Sequence, residues 1–255
     1  MFAFQDTQGS QRSQVEVAFT DRHGGVSGGP YASLNLSEPG SASASASAEQ
    51  DAAAVQQNIE LAVRAFTRVP DGAPTPPVVR MRQVHGADVH VVEAGTGTPT
   101  GDALVTTQPG VVLMVRVADC VPVLLSDPDV GVVAAVHAGR PGLVAGVVSR
   151  TVVAMRSLGA SNVRAWVGPH VCGACYEVPE QMRAEVSAVV PEAYAETSWG
   201  TPSVDIGVGV TAQLRSEGVE VVDASRCTLE DDDLYSYRRQ GQQSGRLAGL
   251  VWVRP

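Results

Sequence analysis

Between residues 78 and 137 the chain reads as short apolar runs, VVRMRQV, ADVHVV, DALVTT, VVLMVRV, VPVLLSD and GVVAAVH, separated by Gly, Pro and Asp. Valine-rich runs of this length bounded by turn residues predict β-strands. A different period holds upstream, where Val55, Ile59, Ala62, Val63 and Phe66 share one helical face. Ser47, with Gln50 three residues on, reads as that helix's capping box. A second helix is predicted from Pro141 to Leu158, with Pro141 in its first turn and Gly159 just past its end. Strand VRAWVG follows, then helices near 179–190 and 205–217 stopped by Pro191 and Gly218, then strands VEVV and LAGLVWV. Ahead of residue 70 the pattern gives only one short strand besides the helix. Residues 40–48, GSASASASA, read as a low-complexity surface loop, and DGAPTPP at 71–77 as a loop rather than a linker. Strands and helices without strict βαβ alternation predict an α+β fold, mixed β-sheets flanked by helices, in a single domain over 1–255.

Composition narrows the chemistry. All 18 basic residues are arginine, and the chain has no lysine. A pyridoxal Schiff base, a P-loop lysine, a kinase-type lysine and a Ser-Lys dyad are thereby excluded. The net charge of −9 argues against a nucleic-acid backbone or an anionic membrane surface as partner. An anionic small substrate stays possible where arginines gather. No stretch approaches the ~20 apolar residues of a membrane helix. The start, MFAFQDTQGSQRS, lacks the basic and apolar regions of a secretory leader. Four cysteines are too few for a disulfide scaffold in 255 residues, so a cytoplasmic location is expected.

Three segments carry candidate chemistry: Gln83-Val84-His85-Gly86, Ala118-Asp119-Cys120-Val121-Pro122 and Val136-His137-Ala138-Gly139. Each sets a metal-ligating side chain at the end of an apolar strand beside Gly or Pro. Two imidazoles and one thiolate make a catalytic zinc set with one position open. The plainer alternative for each residue is a satisfied structural histidine or a small buried cysteine.

The same segments resemble the YfiH/LACC1 family, described as laccase-like polyphenol oxidases and regarded as zinc-dependent purine nucleoside phosphorylases. The likeness runs from FTDRHGGVSGGPYASLNLS (19–37) through QVHGADV, DALVTTQPGVVLMVRVADCVPVLLSD and GVVAAVHAG to GPHVCGACYEV, CT and YSYRRQ…SGRLAG. It implies that His85, Cys120 and His137 bind Zn²⁺, copper being the weaker candidate. It implies cleavage of adenosine, inosine and methylthioadenosine with phosphate to base and pentose 1-phosphate, with adenosine deamination as a second activity. It implies the cytotoxic-necrotizing-factor/YfiH-like α+β fold. Bacterial members are also described as peptidoglycan editing factors. Two motifs depart from the family: HAGWRG becomes His137-Ala138-Gly139-Arg140-Pro141-Gly142, and GPAIGPCCYEV becomes GPHVCGACYEV. Cys175 matches a family cysteine and Cys172 does not.

Further residues have two readings each. Arg22, between Asp21 and His23-Gly24-Gly25, either grips phosphate as part of the catalytic set or sits solvated on a turn. Asn35 contacts ribose or base, or serves a turn. Gln83, two residues before His85 and so on the same strand face, contacts substrate or supports the ligand. Arg238 binds phosphate or braces the acidic run LEDDD. Asp119 orients a histidine, or makes a cap or buried hydrogen bond. His170 faces the cleft or solvent, and His90 is structural. Cys172 and Cys175 have zinc-ribbon spacing, but a closed site would need a second pair and only Cys227 is left, so they read as incidental thiols. The resulting expectation is a phosphorylase acting on a purine nucleoside and phosphate, as a monomer or homodimer. Three alternatives remain: a cysteine hydrolase with Cys120 as nucleophile and His137 as base, a peptidoglycan-precursor editing factor, and a copper polyphenol oxidase. Five histidines are too few for the copper clusters of the last.

Overall fold

The computed structural model describes residues 1–37, 48–70 and 72–255, with the side chains of 48–51 left aside. The low-complexity loop and the Ser47 capping box lie outside the described residues. The chain opens with a hairpin of β1 (Phe2–Gly9) and β2 (Gln14–Thr20), followed by helix α1 (Ala48–Thr67). Six strands come next: β3 (Val78–Arg80), β4 (Val89–Val91), β5 (Ala103–Thr106), β6 (Val112–Val117), β7 (Val121–Asp127) and β8 (Val132–Ala138). Helices α2 (Arg140–Val144) and α3 (Val147–Ser157), strand β9 (Arg164–Val167) and helix α4 (Glu180–Val189) follow. A short hairpin of β10 (Tyr194–Glu196) and β11 (Pro202–Val204) precedes α5 (Ile206–Ser216). Strand β12 (Glu220–Asp223), helix α6 (Tyr237–Gln240) and strand β13 (Leu247–Val253) complete the order.

Two mixed sheets form, β1-β2-β13-β6-β3 and β12-β9-β7-β8-β5-β4. They pack face to face through Val17 and Phe19 of β2, Leu113 and Val115 of β6, and Leu124, Val133 and Trp166 of the second sheet. Period-two alternation sends the neighbouring side chains outward. On β6, Val112 and Met114 meet Val55, Ile59, Val63 and Phe66 of α1. On β7 and β8, Val121, Val123, Leu125, Ala134 and Val136 meet α3 and α5. Four layers result, helix, sheet, sheet, helix. Full burial of each large apolar side chain at these contacts contributes about 1.5–3 kcal/mol. Among the described residues no helix is long and apolar enough to cross a membrane.

Three elements differ from the sequence reading. β1 was not expected, because Gln5, Asp6, Thr7 and Gln8 hide an edge strand with one wet face. Its Asp6 carboxylate accepts the indole N–H of buried Trp166 at 2.9 Å. The helix expected over 141–158 is two helices, because Gly146 at φ +73° stands outside helical geometry. β3 ends at Arg80, so His85 and Gln83 do not share a strand face; His85 sits in a loop at φ +59°.

Candidate metal and active site

On β8 the inward row is Val133, Ala135, His137, so alternation carries His137 to the sandwich side at the strand's end. β5 pairs with β8 so that Ala103 opposes Val136, and the backbone N–H of His137 donates to the Asp102 carbonyl at 2.8 Å. Asp102 thus lies across from His137, and its carboxylate accepts the His137 Nδ1 proton at 2.8 Å. That bond turns the Nε2 lone pair toward the cleft.

The Asp102 carboxylate is fully buried and also accepts the backbone N–H groups of Val84, His85 and Gly86 at 3.3, 3.0 and 2.6 Å. Three consecutive amides around one carboxylate form an anion nest. The nest holds His85 in the left-handed region, which few non-glycine residues enter. Gly139 leaves room for the imidazole: a Cβ there would stand 2.5 Å from His85 Cδ2 and 3.3 Å from Cys120 Sγ.

Cys120 opens β7 from a turn in which Asp119 has φ +86°. Its Sγ lies 3.7 Å from His85 Nε2, the two imidazole rings meet edge to face at 4.7 Å, and the three donor atoms all fall within 4.8 Å of one another. Zinc bonds of ~2.3 Å to sulfur and ~2.0–2.1 Å to nitrogen set neighbouring tetrahedral ligands about 3.6 Å apart. The donor set therefore fits a metal ion with one side left toward the cleft.

Without metal the same groups form a charge pair. Burial alone would raise the Cys120 thiol, but the positive His137 and hydrogen bonds from His137 and His85 bring it down to about 6. Burial alone would lower His137, but the Cys120 thiolate and the Asp102 carboxylate lift it to about 9. Asp102 is likewise held below the carboxylate range, burial being outweighed by hydrogen bonds from His137 and the Gly86 amide. A depressed thiol pKa puts the thiolate above pH 6. In metal-stripped protein, alkylation of the Cys120 peptide should rise about tenfold from pH 5 to 7 and then level off. An ordinary thiol keeps rising tenfold per unit to about pH 8.5. Peptide mass spectrometry across pH checks this, and a midpoint near 8.5 would contradict the charge pair.

The site opens into a cleft of about 760 Å³ whose wall includes Gln83, Arg116, Tyr176, Tyr237, Arg238 and Arg246. That volume suits a small organic ligand. Gln83 clips its amide to the Arg116 backbone, donating to the carbonyl at 2.7 Å and accepting the N–H at 3.0 Å, which ties the His85 loop to β6. Arg238 lies over the Tyr176 ring at 4.8 Å and donates to the Glu177 carbonyl at 3.0 Å.

Two expected residues are placed elsewhere. Arg22 is outside the cleft wall; its Nε donates to the Ala32 carbonyl at 2.9 Å and its guanidinium covers Tyr235 at 4.7 Å. Asn35 is buried, and its Oδ1 accepts from the Ser37 N–H, the Ser37 hydroxyl and the Arg246 N–H at 3.1, 2.7 and 3.0 Å. It serves a turn, and through it positions Ser37 and Arg246, which do line the cleft. Asp119 does not orient a histidine; it accepts from the Thr228 hydroxyl at 2.7 Å and the Arg238 N–H at 2.6 Å. His170 is buried on the Gly168 carbonyl rather than facing cleft or solvent. His90 is structural, bonded to the Thr100 carbonyl.

Sequence reasoning missed Asp102 and Arg246. Arg246 stands just before an all-apolar strand, and its guanidinium donates to the Ser244 and Gly245 carbonyls at 2.8 and 3.0 Å. Burial pulls its pKa below the usual arginine value, against the pull of Cys120 and Asp119. An arginine or carboxylate abutting a buried strand is the signal that would have found both.

A two-sheet sandwich between helices carries a His-Cys-His donor set that could hold a metal ion, beside an arginine-lined cleft, in an α+β fold. The chain belongs to the family described as multi-copper polyphenol oxidoreductase laccase, the YfiH/LACC1 family, whose pattern matches residues 16–254. It is 53% identical over 252 residues to a purine nucleoside phosphorylase of Streptomyces coelicolor, covering 95% of this chain and 98% of the relative. A purine nucleoside phosphorylase of Corynebacterium glutamicum is 44% identical over 255 residues, covering 97% and 98%. Among solved structures, a Neisseria meningitidis protein of the DUF152 family superposes with a TM-score of 0.79 at 32% identity, covering 98% of this chain and 99% of that one.

Proposed function

We propose that this protein is a purine nucleoside phosphorylase. It holds a zinc ion with His85, Cys120 and His137 and cleaves adenosine, inosine and methylthioadenosine with phosphate. The products are the free base and a pentose 1-phosphate. Adenosine deamination is a second reaction of the same cleft. One observation carries the reading: the His85, Cys120 and His137 donors converge within 4.8 Å, at the floor of a cleft whose wall carries arginines. The names of the relatives support the substrate class.

When bound, the ion supplies Lewis acidity in the cleft. Everything else falls to the chain's own groups. Asp102 keeps His137 in the tautomer that presents Nε2. Arg246 and Arg238 bring the positive charge that a phosphate needs, since no lysine exists to do so. The tyrosines of the wall, Tyr176 and Tyr237, offer apolar faces to a base. Hydrogen phosphate forms its new O–C1′ bond to the ribose as the C1′–N bond breaks, and the proton it gives up balances the one the departing purine takes at a ring nitrogen. His23, His90 and His170 are bonded to Asp233, Thr100 and Gly168 respectively, which supports a single ion in this cleft rather than a copper cluster.

A second reading rests on the same atoms. Cys120, His137 and Asp102 line up as a thiolate, an imidazole and an orienting carboxylate, the arrangement of a cysteine hydrolase. Incubation of the protein with inosine and phosphate, with and without a chelator, separates the two. Phosphorolysis predicts hypoxanthine and ribose 1-phosphate, lost in chelator and restored by zinc. Turnover that persists in chelator and stops on alkylation would transfer the assignment to the hydrolase.

A further inference from the structure

The loop between β9 and α4 carries Cys172 and Cys175, and the loop after β12 carries Cys227 and Glu230. The sequence pairs Cys172 with Cys175 by spacing but does not join Cys227 or Glu230 to them; the fold brings all four together. Their three sulfurs and a Glu230 carboxylate oxygen lie within 4.8 Å of one another. The Cys172 carbonyl accepts the N–H groups of Cys175 and Tyr176, both at 3.0 Å, in a tight turn that binds the CxxC pair together. The Gly173 N–H donates to Asp205 at 3.1 Å, and Ser203 donates to the Gly173 carbonyl, so the turn is anchored from behind. On the other loop, the Asp231 N–H donates to the Cys227 carbonyl at 3.1 Å and brings Glu230 back toward Cys227. The two loops are tied directly. The His170 N–H meets the Arg226 carbonyl at 3.1 Å, and the Thr228 N–H meets the His170 carbonyl at 3.0 Å.

We propose that Cys172, Cys175, Cys227 and Glu230 form a second metal site, a closed tetrahedral one that takes Zn²⁺ as a structural clamp. Three thiolates and one carboxylate satisfy all four positions of zinc and leave none for substrate. A Cys172–Cys175 disulfide would use only two of the four groups and leave Cys227 and Glu230 gathered without cause. The guanidinium of Arg239 donates to the Thr228, Leu229 and Asp231 carbonyls at 3.2, 2.9 and 3.2 Å, which sets a positive charge against this thiolate-rich loop. The clamp fastens the strip holding Val171 and Tyr176, both in the cleft wall, to the strip whose Thr228 hydroxyl holds Asp119, next to Cys120. Its chemistry stands whether or not the cleft cleaves nucleosides.

Metal counting tests this without an activity assay. Reduced protein purified with no added metal should contain about two zinc ions per chain, and Cys120→Ala should keep about one. In the Cys120→Ala background, cobalt titration should give a thiolate-to-cobalt charge-transfer band saturating near one equivalent. Cys172→Ser with Cys227→Ser should remove that band and the remaining zinc. Glu230→Gln changes an exposed carboxylate and preserves the fold; it should weaken Zn²⁺ binding at least about tenfold. A Cys120→Ala protein that holds no zinc and gives no cobalt band overturns the proposal. So does a Cys172–Cys175 disulfide found by mass spectrometry in freshly isolated protein. Loss of nucleoside cleavage with the second equivalent retained would instead touch only the phosphorylase reading.

Discussion

Cys120→Ala and His137→Ala should each release one equivalent of metal and lose at least about 10³-fold in nucleoside cleavage, because Lewis acidity is worth several kcal/mol of barrier. The two variants differ in their side effects. Cys120→Ala removes one small side chain at the edge of the Tyr235 and Leu247 cluster and leaves the Asp102 nest intact. Its fold should persist, so its loss reads directly on the site. His137→Ala removes the ring from a fully buried carboxylate, and orphaning one partner of such a pair costs about 3–5 kcal/mol. Its melting temperature should fall as well. Elemental analysis and hypoxanthine release on the same samples are the measurements. Full cleavage by either variant would sink the assignment.

Arg246→Met should lower phosphorolysis at subsaturating phosphate by about 10–10²-fold, the usual effect of removing one charge-assisted hydrogen bond to a bound anion. Most of the loss should appear as a raised KM for phosphate. The reason is local: Arg246 is a poorly solvated guanidinium in the cleft wall, and binding an anion relieves that desolvation. The alternative is that Arg246 matters only because it pins the Ser244 and Gly245 carbonyls. Adenosine deamination in phosphate-free buffer distinguishes the two. If the proposed deamination takes place in the same cleft, it needs no phosphate and should fall less than about tenfold. Equal loss of both reactions would mean that the loop collapsed. Arg246→Lys keeps the charge without the fork and should recover only part of the activity.

What the sequence made legible follows a physical line. The three candidate metal ligands were readable because each stands at the edge of an apolar run beside Gly or Pro, a local pattern. Asp102 was not, because its meaning depends on β5 pairing with β8, a contact between distant segments. Cys172 and Cys175 were read as incidental for the same reason; the bridge from His170 to Cys227 that completes their cluster is long-range. Arg22 and Asn35 were the right residue types to touch phosphate and ribose. Types alone do not tell a ligand contact from a loop brace, and both turned out to bond backbone or neighbours. Strand β1 hid behind polar residues on its wet face. The break between α2 and α3 rests on one left-handed glycine, which the apolar period ran straight through.

Asp102 ties the order of assembly to the chemistry. Its carboxylate meets His137 only if β8 lies against β5 in the observed pairing; a slip of one residue would turn His137 toward α3 and bring an alanine or valine in its place. The 84–86 nest closes on the same carboxylate. An unfolded or mispaired chain therefore has scattered donors, and the arrangement of His85, Cys120 and His137 that would hold a metal exists only after the second sheet has formed. If the proposed ion is bound, its retention would report on the sheet, because chains with mispaired strands lack the donor arrangement that would hold it.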